Sequence, residues 1–253
     1  MQVFIISIED EESPRLNKFL AQPFFQNKKL PFNKIGIKGG ELSAKVYFEL
    51  GVKGRSKPLS PSMVGCTISH LAAVKEFLAT DDQYALIMED DAILPDDLTI
   101  EKLSAELTRL KLPKNTLFSI GGIRMKECRK VRGTILDQEF LSQKILKVSP
   151  DFYHRICYAV AYIVDREIAH TLIDYHRLLR AADDWRFLTD FNKTASILMT
   201  AIVDHPVILA GEQNNQLSSI EKERVNSSDV PVSNFGTSLR YNIAKFFYKK
   251  YPK

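Results

Sequence analysis

The segment from Tyr84 to Asp91 constrains the fold more than any other part of this 253-residue chain. Five apolar or aromatic residues lead directly into three consecutive carboxylates, Glu89, Asp90 and Asp91. Such a run is typical of a buried strand that ends at the edge of a sheet. Adjacent anions repel one another where little water screens them, so the cluster is stable when it is exposed or when a cation fills it. The segment therefore predicts either an acidic turn or a metal site at a strand end.

The leading hypothesis is a metal–diphosphate site at the strand end. Asp and Glu oxygens suit hard cations such as Mg²⁺ or Mn²⁺, which usually keep open positions for phosphate oxygens. In an extended strand Glu89 and Asp91 share a face, whereas Asp90 points away and turns inward only if the strand ends there. His205 follows a strand-like run over 197–203, where it is either a further metal ligand or a solvated loop histidine.

Apolar runs alternate with amphipathic segments along the chain. This alternation predicts an α/β fold, with a single domain whose mixed sheet is mostly parallel and is flanked by helices. Ligands of such sheets bind outside the carboxyl ends of the strands, where Glu89–Asp91, Gly39-Gly40 and Gly121-Gly122 are expected. Neither glycine pair belongs to a GxGxxG or GxxxxGK[ST] motif, so the sequence does not support a dinucleotide fold or a P-loop. Strands are predicted at 3–8, 32–37, 84–88, 116–120, 159–164 and 197–203, and the clearest helices at 61–79 and 101–110.

Composition excludes several classes of protein. The sequence has no run of about 20 apolar residues, so no transmembrane helix is expected. The apolar run at 3–8 is too short for a secretory signal. The three cysteines, Cys66, Cys128 and Cys157, have no metal-binding spacing, which favours a reducing compartment. The net charge of +4 is modest and no nucleic-acid-reading motif is present, so no nucleic-acid partner is expected.

The end of the chain differs in composition from the rest. We expect a main domain over 1–230 and a basic aromatic tail over 231–253. From residue 240 onward the tail carries five basic residues, no acidic residue and several aromatic ones. This pattern predicts either binding to an anionic membrane surface or a helix whose aromatic side packs on the domain.

Two further clusters carry chemistry. In the segment Gly65-Cys66-Thr67-Ile68-Ser69-His70, the helical spacing places Cys66 and His70 on one face. His70 is interpreted as a phosphate contact, a residue that holds an acidic side chain, or a core histidine. Asp183-Asp184-Trp185 offers carboxylates for a hydroxyl proton and a flat ring for a sugar; it is alternatively a helix N-terminus.

Taken in order, these pieces resemble glycosyltransferase family 25, the lipooligosaccharide glycosyltransferases. The likeness covers about residues 1–225, and Met63 departs from it where the family usually carries Glu. The matching pieces are 3–8 with Arg15, Gly39-Gly40, Gly65-Cys66-Thr67-Ile68-Ser69-His70, Glu89-Asp90-Asp91, Cys157-Tyr158-Ala159 with Arg166, Asp183-Asp184-Trp185, and Pro206 with Gln213, Ser219-Ile220 and Arg224.

The resemblance implies a GT-A-like fold and transfer of a hexose with inversion from a UDP-sugar to a lipooligosaccharide or other glycan. Galactose is the first expectation for the hexose and glucose the second. Asp91 would bind Mn²⁺ or Mg²⁺, with Glu89 on the metal or the ribose, and Asp184, or next Asp183, would be the catalytic base. Residues expected to contact the donor are Ile6, Ser7, Arg15, Gly39, His70, Glu89, Asp90 and Gly121.

The same residues are also compatible with two other functions. A metal-dependent phosphoesterase or nucleotidyltransferase would also place carboxylates at strand ends, and a decayed site would leave a non-catalytic nucleotide-sugar binding module. We expect a cytoplasmic protein, with the tail as a means of peripheral binding to the inner face of the inner membrane. The sequence leaves the oligomeric state open.

Overall fold

The computed structural model describes residues 1–26, 30–206 and 239–252. In these residues one sheet runs through the molecule, and helices cover both of its faces. The strands are β1 (Gln2–Ile6), β2 (Asn33–Ile35), β3 (Tyr84–Glu89), β4 (Thr116–Gly121), β5 (Arg132–Phe140), β6 (Gln143–Val148), β7 (Ala161–Asp165), β8 (Ser196–Val203) and β9 (Lys249–Lys250).

The helices fall between the strands. The α-helices are α1 (Pro14–Leu20), α2 (Pro23–Gln26), α3 (Ala44–Tyr47), α4 (Pro61–Leu78), α5 (Ile100–Leu110), α6 (Arg166–Tyr175), α7 (Leu188–Phe191) and α8 (Leu239–Phe247). A π-helical turn spans Phe48–Val52, and 3₁₀ turns span Gly39–Glu41, Glu127–Lys130 and Pro150–Arg155. Among the helices of the described ranges, none combines the length and the hydropathy that a membrane span requires.

The strand order β2-β1-β3-β7-β4-β8-β6-β5-β9 confirms the α/β fold with a mixed sheet and is compatible with the GT-A-like expectation. The expectation that parallel pairing predominates is wrong. Three described pairings are parallel, β1 with β2, β1 with β3, and β4 with β8, whereas five are antiparallel. Two features of the sheet cause the difference. Strand β7 lies antiparallel between β3 and β4, and the antiparallel β5–β6 hairpin extends the sheet beyond β8.

Alternating residues of the central strands supply two cores. In β1, Phe4 packs with α4 residues such as Phe77 on one face of the sheet, and Ile5 packs with α1 and α5 residues such as Phe19 and Leu107 on the other. Successive side chains of a strand point to opposite faces, so a strand covered on both sides is apolar at every position. This double cover fixes the position of the residues that follow β1 and β3.

Helix α4 begins as the sequence predicts. The Ser60 side chain accepts a hydrogen bond from the backbone N–H of Met63, and Pro61 occupies the first helical position. The helix is apolar on the side that meets the sheet, where Val64, Ala73 and Phe77 are buried. It therefore holds the Cys66–His70 segment firmly against the sheet.

The tail both packs on the domain and leaves aromatic side chains exposed. Tyr241 and Ala244 of α8 are buried, with the Tyr241 ring 5.0 Å from that of Phe152, and β9 pairs with β5. Phe246 and Phe247 remain 89% and 78% exposed. The expected boundary at residues 230–231 lies outside the described residues, as do Gln213, Ser219, Ile220 and Arg224.

Candidate functional site

The acidic triplet lies at the carboxyl ends of two neighbouring parallel strands. Ile6 of β1 pairs with Glu89 of β3. The backbone N–H of Asp90 then donates to the Ile6 carbonyl at 3.3 Å, and the N–H of Ala92 donates to the Glu89 carbonyl at 3.2 Å, so the chain turns there. The strand thus ends at Glu89, which lets the next carboxylate face inward.

Asp90 is the buried centre of this turn, at 6% exposure. Its Oδ1 accepts a hydrogen bond from Arg15 Nε at 2.7 Å, and its Oδ2 accepts one from Ser7 Oγ at 2.5 Å. Burial raises the pKa of Asp90, although Arg15 and Ser7 both favour its charged form. Asp90 therefore binds α1 to the end of β1 and has both oxygens engaged by protein.

Asp91 is engaged on one oxygen only. Its Oδ2 lies 3.1 Å from the Arg15 guanidinium and 3.4 Å from His205 Nε2. Its Oδ1 is buried and has no hydrogen-bond partner in the described part of the chain. A buried, unpaired carboxylate oxygen costs free energy unless a ligand satisfies it.

His205 is a neighbour of Asp91 and not a solvated loop residue, since its side chain is 9% exposed. Burial alone would lower the pKa of His205, but the hydrogen bond and charge of Asp91 outweigh burial and raise it. The same contact, with Arg15, holds the pKa of Asp91 below its ordinary value despite burial. His205 Nδ1 lies 2.8 Å from the Pro206 carbonyl, which fixes the ring.

Glu89 turns toward α4. Its Oε1 lies 3.3 Å from His70 Nε2, and His70 Nδ1 lies 2.9 Å from the buried Tyr162 hydroxyl. His70 thus holds an acidic side chain in place, which is one of the roles considered from the sequence. Cys66 lies one helical turn before His70, and its thiol joins the same group of side chains.

The small residues of the Gly65–His70 segment have a packing role. A Cβ on Gly65 would lie 2.4 Å from the Ile37 carbonyl oxygen, and one on Gly39 would lie 1.7 Å from that of Pro61. The hydroxyl of Ser69 accepts a hydrogen bond from the Ile37 N–H at 2.9 Å. These residues let the chain around 37–39 lie directly on α4, and donor contact by Gly39 stays a prediction.

Gly121 also has a steric reason to be glycine. It ends β4 beside β8, and a Cβ there would lie 2.6 Å from Val160 Cγ1 and 3.1 Å from the Val203 carbonyl oxygen. This packing brings the end of β8, and with it His205, close to the end of β3 and the start of β7.

Asp183 and Asp184 lie on the loop between α6 and α7, not at a helix N-terminus. Asp183 Oδ2 accepts a hydrogen bond from the backbone N–H of Tyr158 at 3.0 Å, and Asp184 Oδ1 pairs with Arg186 Nε at 2.7 Å. Trp185 is 2% exposed and packs edge-on against Tyr162, so its ring is not available to stack on a sugar.

Tyr158 is the residue whose position the sequence did not predict. Its backbone holds Asp183, and its ring lies 5.6 Å from that of His205, which in turn contacts Asp91. It adopts a φ of 76°, which is uncommon for a residue other than glycine. The segment Cys157-Tyr158-Ala159 is part of the resemblance, but residue type alone does not predict this backbone conformation. Tyr158 joins the Asp183 loop to the strand-end carboxylates.

A crevice opens beside His205. Its volume is about 410 Å³, and its lining includes Ile93, Gly122, Arg124 and Met125. A space of this size lies within the range of small-molecule sites.

At this edge of the sheet, Asp91 offers the ligand chemistry that a hard divalent cation requires. Asp91 presents a buried oxygen without a partner in the described ranges, and the Arg15 guanidinium contacts both Asp90 and Asp91. Asp91 and His205 are in direct contact, whereas Glu89 lies with His70 and is near enough to raise the pKa of His205. Carboxylate oxygens are the ligands that Mg²⁺ and Mn²⁺ prefer.

Comparisons with solved structures gave distant similarities. The crystal structure of A197 from STIV is 13% identical over 82% of this chain and 87% of that one, with a TM-score of 0.42. The crystal structure of mannose-1-phosphate geranyltransferase from Thermus thermophilus is 10% identical over 81% and 74% of the two chains, with a TM-score of 0.40. No curated protein matches the chain.

A protein-family comparison gave a match over most of the chain. The model of glycosyltransferase family 25 (LPS biosynthesis protein) matches residues 1–187. This span contains the Gly65–His70 segment, Glu89–Asp91 and Asp183–Trp185, which confirms the resemblance found from those motifs up to residue 187. The chain therefore belongs to glycosyltransferase family 25 and is a glycosyltransferase of the kind associated with LPS biosynthesis.

Proposed function

We propose that the protein transfers a hexose with inversion from a UDP-sugar to a lipooligosaccharide glycan, with a divalent cation at the Glu89–Asp91 turn. Galactose is the first choice of hexose and glucose the second. The observation that carries the proposal is the buried Oδ1 of Asp91, which lacks a hydrogen-bond partner in the described ranges at the carboxyl ends of β1 and β3. Ligands of open α/β sheets bind at such edges.

Asp91 would hold Mn²⁺ or Mg²⁺, with Glu89 and His205 as the other candidate ligands. When bound, the cation neutralises charge on the diphosphate leaving group. Arg15 keeps Asp91 oriented through the other carboxylate oxygen at 3.1 Å. Ile6, Ser7, Gly39 and Gly121 lie on the elements that would border the donor, and their contact with it is part of the proposal.

Asp184 is our first choice for the base that takes the proton of the acceptor hydroxyl as that hydroxyl attacks the anomeric carbon, and Asp183 is the second. The hydrogen bond from Arg186 fixes the Asp184 carboxylate on its loop, and the Asp183–Tyr158 bond ties that loop to the His205–Asp91 pair. Direct displacement requires no covalent enzyme intermediate.

A thermal-shift panel of UDP-sugars with and without Mn²⁺ tests the donor. A ligand at 100 times its Kd stabilises the folded state by about 2.7 kcal/mol, which raises Tm by roughly 5–10 °C for a chain of this size. We expect the largest shift with UDP-galactose, and only when Mn²⁺ or Mg²⁺ is present. Equal shifts with and without metal would contradict the metal site.

Product analysis separates transfer from the other chemistries. We expect UDP as the nucleotide product, together with a hexosylated acceptor. Cleavage within the diphosphate would instead identify a phosphoesterase or nucleotidyltransferase. Metal-dependent UDP binding with neither transfer nor slow sugar hydrolysis would identify a binding module.

We also propose that α8 contacts an anionic membrane surface. Leu239, Phe246 and Phe247 are each more than three-quarters exposed, while the buried Tyr241 anchors the helix to the domain. Exposed Lys249 and Lys250 follow directly. Exposed aromatic residues followed in sequence by exposed lysines suit the boundary between anionic headgroups and acyl chains.

Co-sedimentation with vesicles tests this surface. We expect binding to vesicles that contain phosphatidylserine and little binding to neutral phosphatidylcholine vesicles. Because each cation near such a surface contributes about 1 kcal/mol, removing three lysines in Lys245→Gln/Lys249→Gln/Lys250→Gln should weaken binding by roughly 100-fold.

A Phe246→Ser/Phe247→Ser variant should also bind more weakly. The matched control is Phe48→Ser/Phe191→Ser, which removes two half-exposed phenylalanines outside the tail; equal loss in this control would contradict a specific role for α8.

A further inference from the structure

A second group of potential metal ligands lies on the α4 side of the acidic triplet. Cys66 and His70 are one turn apart on α4, and Glu89 ends the adjacent strand β3. One ligand atom from each of the three lies within 4.8 Å of the others, and within the described residues no other trio of His, Cys, Asp and Glu meets this criterion. We propose that this trio binds a borderline-soft divalent cation of the Zn²⁺ class, separately from the hard cation assigned to Asp91.

The spacing of the two best-defined ligands fits one ion. His70 Nε2 and Glu89 Oε1 are 3.3 Å apart, which is long for a hydrogen bond. Two ligand atoms at 2.0–2.1 Å from one tetrahedral Zn²⁺ lie about 3.3–3.4 Å apart. The thiolate of a cysteine one turn earlier on the same helix face supplies a third ligand at helical spacing.

The imidazole is held in the orientation that metal binding requires. His70 Nδ1 lies 2.9 Å from the hydroxyl of Tyr162, and the two rings stack with centroids 5.7 Å apart. Metal-binding histidines usually use one nitrogen for the ion and the other for such a hydrogen bond. Tyr162 is buried in β7 and His70 is buried in α4, so little reorganisation is needed when the ion binds.

The donor set decides which cation binds. A thiolate, an imidazole and a carboxylate are ligands that Zn²⁺ accepts together, whereas Mg²⁺ and Mn²⁺ favour oxygen. Asp91 and His205 offer no sulfur, so the two sites differ in selectivity. Three protein ligands leave a fourth position of Zn²⁺ for water.

The site has a consequence for transfer, and this part rests on the proposed function. Glu89 is also a candidate ligand or ribose contact of the donor complex, and it cannot serve both ions with the same oxygen. Zn²⁺ at Cys66, His70 and Glu89 uses the Oε1 that faces His70 and leaves only Oε2 of Glu89 for the donor complex, so we expect it to lower the transfer rate. The binding of Zn²⁺ itself does not depend on any transfer activity.

Titration with Co²⁺, which substitutes for Zn²⁺ and reports its ligands spectroscopically, tests the site without nucleotide or acceptor. The full chain is used in a Cys128→Ser/Cys157→Ser background, because those two thiols lie 3.7 Å apart and would offer Co²⁺ a second pair of sulfur ligands. We expect one equivalent of Co²⁺ to produce a thiolate charge-transfer band and the visible bands of a tetrahedral ion. Excess Mg²⁺ should leave the bands unchanged and Zn²⁺ should remove them.

Cys66→Ser in the same background is the matched variant. We expect it to lose the charge-transfer band and to bind Co²⁺ at least about 100-fold more weakly. If the background does not fold, wild type is compared directly with Cys66→Ser. In the double-serine background, the site is overturned if the charge-transfer band persists in Cys66→Ser or if no band forms before that change. In the wild-type comparison, an undiminished band in Cys66→Ser overturns it. Both results are independent of the donor, so they can fail while the proposed function stands.

Discussion

Asp91→Asn is expected to abolish metal-dependent binding of the UDP-sugar and to lower transfer by at least about 10²–10³-fold, the order of magnitude for loss of one group that stabilises developing charge. The substitution turns the carboxylate into a neutral amide. The buried position of Oδ1, which has no partner in the described ranges, is then filled by either the NH₂ group or the neutral carbonyl oxygen of Asn. Either way the turn loses the anionic oxygen that a hard cation requires. Thermal shift with Mn²⁺ and UDP-galactose measures binding, and release of UDP in the presence of acceptor measures transfer.

Two controls make this result specific to the site. Asp97→Asn removes a carboxylate that is 83% exposed and paired with Lys102 on the surface, so it should change neither measurement. Asp90→Asn acts on the fold, because Asp90 is buried against Arg15 and Ser7; breaking such a buried pair costs about 3–5 kcal/mol. Asp91→Asn should keep the Tm of the metal-free protein closer to wild type than Asp90→Asn does. A normal Mn²⁺-dependent shift in Asp91→Asn would exclude this residue as the metal ligand.

The position of the acidic triplet was predictable from the chain, because local rules determine it. The apolar run at 84–88 is a strand, and strands of this fold deliver their C-terminal residues to the ligand edge of the sheet. The inward turn of Asp90 is possible because the strand ends at Glu89. Ser60 at the start of α4 likewise followed from residue type and position.

The β5–β6 hairpin was missed for a physical reason. Its two-residue connection, Leu141-Ser142, has φ angles of 47° and 62°. Turns of this kind are usually signalled by Asn or Gly, which adopt positive φ at little cost. Neither residue is present, and the acidic residues of β5 interrupt its alternation. The resulting antiparallel pairs are the main departure of the sheet from the expected parallel arrangement.

Contacts between distant segments were the hardest part of the site to predict. His205 is close to Asp91 because β8 packs beside β4 and β4 beside β7, which no local pattern specifies. By residue type, Trp185 is suited to stack on a sugar ring, but in the structure it is buried and packs edge-on against Tyr162. Tyr158 lies where β7 begins, and its role in joining Asp183 to His205 depends on a backbone conformation that residue type does not reveal.

Asp184→Asn is expected to retain Mn²⁺-dependent binding of the UDP-sugar and to lose about 10²–10⁴-fold in transfer, the usual contribution of a positioned general base. The amide can still accept the hydrogen bond that Arg186 Nε donates to Oδ1 at 2.7 Å, so the loop keeps its shape while the basic oxygen is lost.

Asp183→Asn is the matched control, because its side chain can still accept the hydrogen bond from the Tyr158 N–H. We expect this variant to bind the donor and to transfer the hexose at a rate much closer to wild type. If Asp184→Asn turns over normally and Asp183→Asn does not, Asp183 is the base. If both turn over normally, the proton leaves the acceptor through another group, and the Asp183–Asp184 loop serves only to support Tyr158 and, through it, the His205–Asp91 pair.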